Sequence, residues 1–254
     1  MQDQNPICPS SSSSSPGSTQ PVPDPTPLDN PVWHSLMTEQ SSLALGGELA
    51  KRFPAEIGPL CGMKEPSAAC YEALRSLASP GEALGLLFTE PPESPAGWTM
   101  PHYDVLDQMI CLEPRDPGPS YVPPEPKFRQ LTPADIPAMI ELATLTEPGP
   151  FARRTIELGL FFGIFDSGRL LAMAGQRMHL PQFHEVSAIC THPDARGRGF
   201  ARTLTLALME EIRQRRKTPF LHVRSGNLRA IHVYEGLGFT LRRKLHFAVM
   251  KTGA

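Results

Sequence analysis

The sequence predicts an α/β protein in which residues 127–254 form a helix-flanked sheet, residues 31–126 a smaller α/β lobe and residues 1–30 a disordered tail. Three observations predict this. Apolar spacing in the last half alternates between strand and helix periods in the order β-α-α-β-β-β-α-β-α-β-β. Prolines number 7 in residues 1–30, 15 in residues 31–126 and 7 in residues 127–254, so only the last half has ordinary proline density. Charge divides at the same place. There are 5 Lys/Arg against 16 Asp/Glu up to residue 126, a balance of −11, and 19 against 10 beyond it, a balance of +9.

The tail carries the run Ser10 to Ser15 and a proline at every second position from Pro21 to Pro27, too little apolar surface to offset the entropy of ordering. From Trp33 to Phe53 the apolar residues read as an amphipathic helix broken near Gly46-Gly47. A strand is expected over Ile57 to Met63, a helix over Ser67 to Leu77, a strand over Leu84 to Phe88 and one or two more within Trp98 to Leu112. Pro114 to Pro126 reads as a linker.

Lys127 to Leu131 is a strand entering Thr132-Pro133-Ala134-Asp135, a helix start with an N-cap threonine, a first-turn proline and an acid facing the positive helix end. That helix runs to about Leu145, and a short one follows over Ala152 to Leu158. Leu160 to Phe165 and Arg169 to His179 pair through a three-residue loop, Asp166-Ser167-Gly168. A strand over Phe183 to Thr191 leads to a helix with Phe200, Leu204, Ala207, Leu208 and Ile212 on one face. A strand at Phe220 to Arg224, a helix at Asn227 to Glu235 and a terminal hairpin over Phe239 to Met250 complete the chain.

Composition narrows the function. No segment approaches the 18 or so unbroken apolar residues of a membrane span, and the first residues lack a secretory signal, so a cytoplasmic protein is expected. Cys8, Cys61, Cys70, Cys111 and Cys190 include no C-x-x-C pair and no zinc spacing, so neither disulfides nor a metal site is expected. The basic half calls for an anionic partner: a phosphorylated ligand, nucleic acid or the acidic half of the same chain. Against nucleic acid, no aromatic stacking series lies on one strand.

Arg196-Gly197-Arg198-Gly199-Phe200-Ala201 stands between a strand and a helix and fits [Q/R]-x-x-G-x-[G/A]. Amides of a glycine turn at a helix N-terminus converge on an anion, and the helix dipole favours the negative charge. About thirty residues on comes Asn227-Leu228-Arg229-Ala230-Ile231-His232-Val233-Tyr234-Glu235-Gly236-Leu237-Gly238-Phe239.

With these two motifs, residues 127–254 resemble the GNAT superfamily of N-acetyltransferases, in the style of two-lobed glycine N-acyltransferase-like members. The resemblance implies a mixed, mostly antiparallel sheet splayed between the strand ending at Thr191 and the strand at Phe220 to Arg224. It implies acetyl-CoA as acyl donor, with its pyrophosphate at Arg196, Gly197, Arg198, Gly199, Phe200, Ala201 and Arg202. The pantetheine arm would pair with Ile189, Cys190 and Thr191 and meet Asn227. It also implies Glu185 as general base and Tyr234 as the acid that protonates the leaving thiolate. On an alternating strand Glu185, Ser187, Ile189 and Thr191 share one face. An ion pair of Glu185 with Arg177, and a core role for Tyr234, are the structural alternatives. His184, His192 and His222 are assigned no role, and Phe151, Gln176 and Arg177 are possible acceptor-lining residues. The expected activity is acetyl transfer to the primary amine of a small or amino-acid-like molecule. A longer acyl-CoA, a protein amine or a non-catalytic acetyl-CoA sensor are its alternatives. The oligomeric state is not legible.

Overall fold

The computed structural model describes residues 22–115 and 127–252. The Ser/Pro tail lies outside the described residues up to residue 21, but its last part is built into the protein. Leu28, within a 3-10 turn at Thr26–Asp29, is fully buried, and Asp29 pairs with Arg242 at 2.7 Å and Arg243 at 2.8 Å. The expected tail boundary at residue 30 is therefore too late. Burying one leucine contributes about 1.5–3 kcal/mol. Deleting residues 1–30 should lower the melting temperature by at least about 3 °C for a chain of this size, measured by differential scanning calorimetry.

The next segment corrects the long helix expected over Trp33 to Phe53. Helix α1 covers only Pro31–Met37; the chain then turns through a 3-10 segment into the short strands β1 (Leu45–Gly46) and β2 (Ala50–Arg52), which pair with each other, and β2 pairs on its other side with β3 (Cys61–Met63). Gly46, at φ 112°, makes that tight entry possible. Helix α2 (Ala68–Arg75) follows, with Ser67 accepting at its N-cap from the Cys70 amide.

Strands β4 (Ala83–Phe88) and β5 (Trp98–Ile110) belong to the main sheet. Then come β6 (Lys127–Gln130), α3 (Ile136–Thr146), β7 (Phe161–Asp166), β8 (Arg169–His179), β9 (Phe183–Thr191), α4 (Phe200–Gln214), β10 (Thr218–Arg224), α5 (Leu228–Gly236) and β11 (Thr240–Thr252). The expected helix at Ala152 to Leu158 is one 3-10 turn, Thr155–Leu158. The β7–β8 loop has two residues, not three: Ser167 and Gly168 both take positive φ between the paired Asp166 and Arg169.

The sheet has eight strands in the order β4-β11-β5-β10-β9-β8-β7-β6, and every neighbouring pair is antiparallel except β9–β10. Strands from both sides of the 116–126 segment alternate in it. The division into a lobe at 31–126 and a sheet at 127–254 thus does not separate two sheets. The expected terminal hairpin is likewise one long strand, β11, because β5 takes the hairpin partner's place from Trp98 to Ile110.

Helices cover the sheet in pairs. Phe161 packs with Met139 and Leu142 of α3, whereas Phe162 and Ile164, on the opposite face by strand alternation, pack with Leu204 and Leu208 of α4. Leu28, Val32 and Leu36 join Ile110, Phe183 and Phe220 in one cluster, so the segment from Leu28 to Leu36 supports the sheet centre. The site opens directly above it.

Candidate active site

Strands β9 and β10 pair only from Phe183–Glu185 to Thr218–Phe220 and then part. Beyond the fork, β9 keeps β8 on one side and leaves its other edge, from Val186 to Thr191, facing a cleft of about 760 Å3. A bulge bends β9 here. Met173 stands opposite Cys190 and Gly175 opposite Ser187, leaving one extra residue on β9, and Ala188 takes φ 51°. The bulge also resets which face each side chain uses. Val186 and Ile189 pack on the α4 side, Ala188 and Cys190 on the α3 side, so Glu185 and Ser187 do not share a face with Ile189 and Thr191 as alternation predicts.

The fork ends at the glycine loop. Gly197 (φ 80°) and Gly199 (φ 79°) are left-handed, and Gly199 is the N-cap residue of the 15-residue α4. Among the described residues no backbone carbonyl accepts from the amides of Gly197, Arg198, Gly199, Phe200 or Ala201. A row of unfilled donors at the positive end of a helix is a cradle for phosphate oxygens. A Cβ placed on either glycine would meet no protein atom within 4 Å; that space is open cleft.

Of the residues expected to hold the donor, Ile189, Cys190, Thr191, Arg196, Gly197, Gly199, Phe200, Ala201, Arg202 and Asn227 line the cleft. Arg198 does not: its guanidinium lies 4.7 Å over the Phe200 ring. Asn227 caps α5, its Oδ1 accepting from the Ala230 amide at 3.2 Å, which leaves its amide nitrogen free of that bond. Burial pushes the Cys190 thiol up to about 11, so it is not a thiolate nucleophile near neutrality.

Tyr234 lines the cleft and packs edge-on against Phe239 at 6.1 Å. Burial raises its phenol well above the ordinary value, so the hydroxyl keeps its proton as a donor must. Glu185 is placed otherwise than expected. It is fully buried and does not line the cleft. Arg177 donates to it from Nε at 2.8 Å and from Nη2 at 2.5 Å, and His222 Nδ1 lies 2.8 Å from Oε1. Burial alone would raise its pKa, but the Arg177 charge and the hydrogen bonds from Arg177 and His222 outweigh burial and hold it at about 2. A carboxylate this weakly basic and closed to solvent does not take a proton from an amine. The general-base expectation gives way to the ion-pair alternative.

Arg177 reaches the cleft, whereas Gln176 is buried beside Leu160 and Phe151 packs on Phe161. His184 bonds Glu39 at 2.8 Å, and His192 accepts from the Asp194 amide. Glu39, His179 and His184 come together, but the two rings stack 5° from parallel at 4.0 Å, so their in-plane lone pairs do not converge on one ion. Sequence reasoning missed the opposite wall. Leu60, His102, Asp104 and Leu106, from the half of the chain with no chemical signature, line the cleft with His222 and Phe247. Their only local signal was a strand pattern.

Residues 161–248 match the FR47-like protein family. A solved GNAT-family structure from Novosphingobium aromaticivorans DSM 12444 is 36% identical, with a TM-score of 0.81, over 90% of this chain and 99% of its own. A GCN5-related N-acetyltransferase from Kribbella flavida shares the fold, with a TM-score of 0.53 at 13% identity over 83% of this chain and 89% of its own. Mycothiol acetyltransferase from Rhodococcus opacus (strain B4) is 38% identical over 89 residues, 32% of this chain and 29% of that protein, so the match spans under a third of the curated relative's length.

Proposed function

This chain belongs to the GNAT family of acetyltransferases, and from that premise we propose that it transfers an acetyl group from acetyl-CoA to the primary amine of a small molecule. The observation that carries this reading is the unfilled amide row of Gly197 to Ala201 at one end of a cleft whose wall is the open edge of β9. The pyrophosphate takes the amides, and the pantetheine amides take the edge at Ile189 to Thr191. The thioester then lies near the β9 bulge. The amine nitrogen attacks the thioester carbonyl, the C–N bond forms, the C–S bond breaks, the Tyr234 hydroxyl gives its proton to the departing thiolate, and the proton the nitrogen sheds on becoming an amide returns to the tyrosinate through water in the cleft. The amine arrives neutral, its proton lost to water in the cleft, because the Glu185 carboxylate is too weak a base.

Similarity to mycothiol acetyltransferases supports a small-molecule acceptor. The four described cysteines are buried free thiols, in keeping with a reducing compartment such as the cytoplasm. No described helix is long and apolar enough to cross a membrane. The test is thiol release from acetyl-CoA and longer acyl-CoAs with a panel of small amines and a lysine peptide. Turnover with small amines and acetyl-CoA is expected; binding without turnover would leave a sensor. Gly199→Val should cost about 1–2 kcal/mol of stability from its left-handed backbone. By calorimetric titration it should weaken acetyl-CoA binding at least tenfold, since its side chain enters ligand space. Unchanged affinity in the folded variant would remove the loop from the donor site.

A further inference from the structure

Five neighbouring strands carry one row of polar side chains beneath the cleft: Arg177 on β8, Glu185 on β9, His222 on β10, Gln108 on β5 and Arg242 on β11. Register brings them together, since Glu185 stands beside Phe220 and His222 opposite Gln108. The two ends of the row fix every hydrogen between them. Arg242 Nη1 only donates, and it lies 2.8 Å from Gln108 Oε1, so that atom is the amide oxygen. Gln108 Nε2 lies 2.8 Å from the Leu28 carbonyl, which only accepts, so that atom is the nitrogen. Its second hydrogen faces His222 Nε2 at 3.0 Å. That ring nitrogen must then be bare, and the proton sits on Nδ1, which donates to Glu185 at 2.8 Å.

We infer that Gln108 and Arg242, anchored on the N-terminal segment through the Leu28 carbonyl and Asp29, are positioning residues that hold His222 as the neutral Nδ1–H tautomer beneath the reaction centre. A proton on Nε2 would face the Gln108 amide donor and break the row. The charged groups around the ring are Glu185 and Arg177 on one side and, beyond Gln108, Arg242 with Asp29 on the other. With His222 neutral, the floor formed by Arg177, Glu185 and His222 sums to zero charge. A cationic His222, which lines the cleft, would add a full positive charge where an amine has to enter. The geometry therefore gives Leu28 and Asp29, far from the glycine loop in sequence, control over the charge of the acceptor site. The consequence for turnover rests on the proposed acetyl transfer; the tautomer does not.

The test is nitrogen NMR of the full chain labelled at histidine. Among its eight histidines, one should show a protonated Nδ1 and a bare Nε2 at about pH 7.5. That signal should vanish in His222→Asn. In Gln108→Glu, whose carboxylate accepts from Nε2–H, both nitrogens of His222 should carry protons at the same pH, which also assigns the signal if His222→Asn does not fold. A wild-type spectrum with no Nδ1–H histidine, or a His222 protonated on both nitrogens at that pH, overturns the inference whatever the protein's activity. In an active preparation, Gln108→Leu should acquire an acidic limb in turnover, falling at least about threefold more than wild type between about pH 7.5 and 5.5. Equal profiles would overturn the role in the site.

Discussion

Expressed alone, residues 127–254 are expected not to fold, although they contain both donor-site motifs and the whole FR47-like match. The reason is the place of β5. It lies between β10 and β11, pairing with the first from Phe220 to Arg224 and with the second from Thr240 to Thr252, and those two strands are not neighbours in the sheet order. Without it both strands expose a full edge at the centre of the sheet, and Tyr234, Leu237 and Phe239 lose Met109 and Cys111 from their cluster. Leu28, Val32, Leu36, Phe53 and Ile57 also leave Phe183 and Phe220 uncovered. At about 1.5–3 kcal/mol for each large apolar side chain, these losses are as large as the 5–15 kcal/mol that typically holds a domain together. Circular dichroism and a proton–nitrogen correlation spectrum of the fragment should show no cooperative unfolding and no dispersed amides. A cut between residues 115 and 127 in the intact chain should leave the two pieces co-eluting. A dispersed spectrum from 127–254 with acetyl-CoA binding would refute this account of the sheet.

The same strand shows where reading the sequence stops. Trp98 to Leu112 announces a strand by its residue types, but nothing local says that its partners lie more than a hundred residues away. Pro101 even argues against a central place. The structure accommodates it where the pairing with β11 shifts register, between the Thr99–Lys251 and His102–Val249 pairs, because a proline in a sheet needs a position with no ladder donor. The terminal hairpin was expected because strands adjacent in sequence usually pair, and that rule lost to β5. The glycine loop was legible for the opposite reason. Its chemistry resides in its own backbone, so Gly197 and Gly199 next to an amphipathic helix suffice to specify it. Glu185 was legible as an important carboxylate but not in its protonation, which is set by Arg177 and His222 on two other strands.

Glu185→Gln and Tyr234→Phe should therefore separate stability from chemistry. Removing the Glu185 charge leaves the partly buried Arg177 guanidinium at the cleft wall without its counterion, a loss of at most about 3–5 kcal/mol. The sign of its pH dependence follows from the depressed folded value of about 2 against an unfolded value near about 4.3. The stabilisation, about 3 kcal/mol, is fully present above about pH 5 and is lost as pH falls toward about 2, so wild type and variant should converge in stability in strong acid. The carboxylate stays ionised throughout the working range. Any fall in the variant's turnover should then be the same at low and high pH, instead of recovering as pH rises the way loss of a general base does. Tyr234→Phe reverses the pattern. Among the described residues its hydroxyl has no hydrogen-bond partner to lose, so the melting temperature should hold, and acetyl-CoA affinity should stay near wild type because only the transition state uses the proton. Turnover should fall about 10²-fold or more, the usual worth of a general acid. Recovery of Glu185→Gln at high pH would restore that carboxylate as the base. A loss below about threefold in Tyr234→Phe would mean that solvent, which already takes the amine's proton, also supplies the thiolate's.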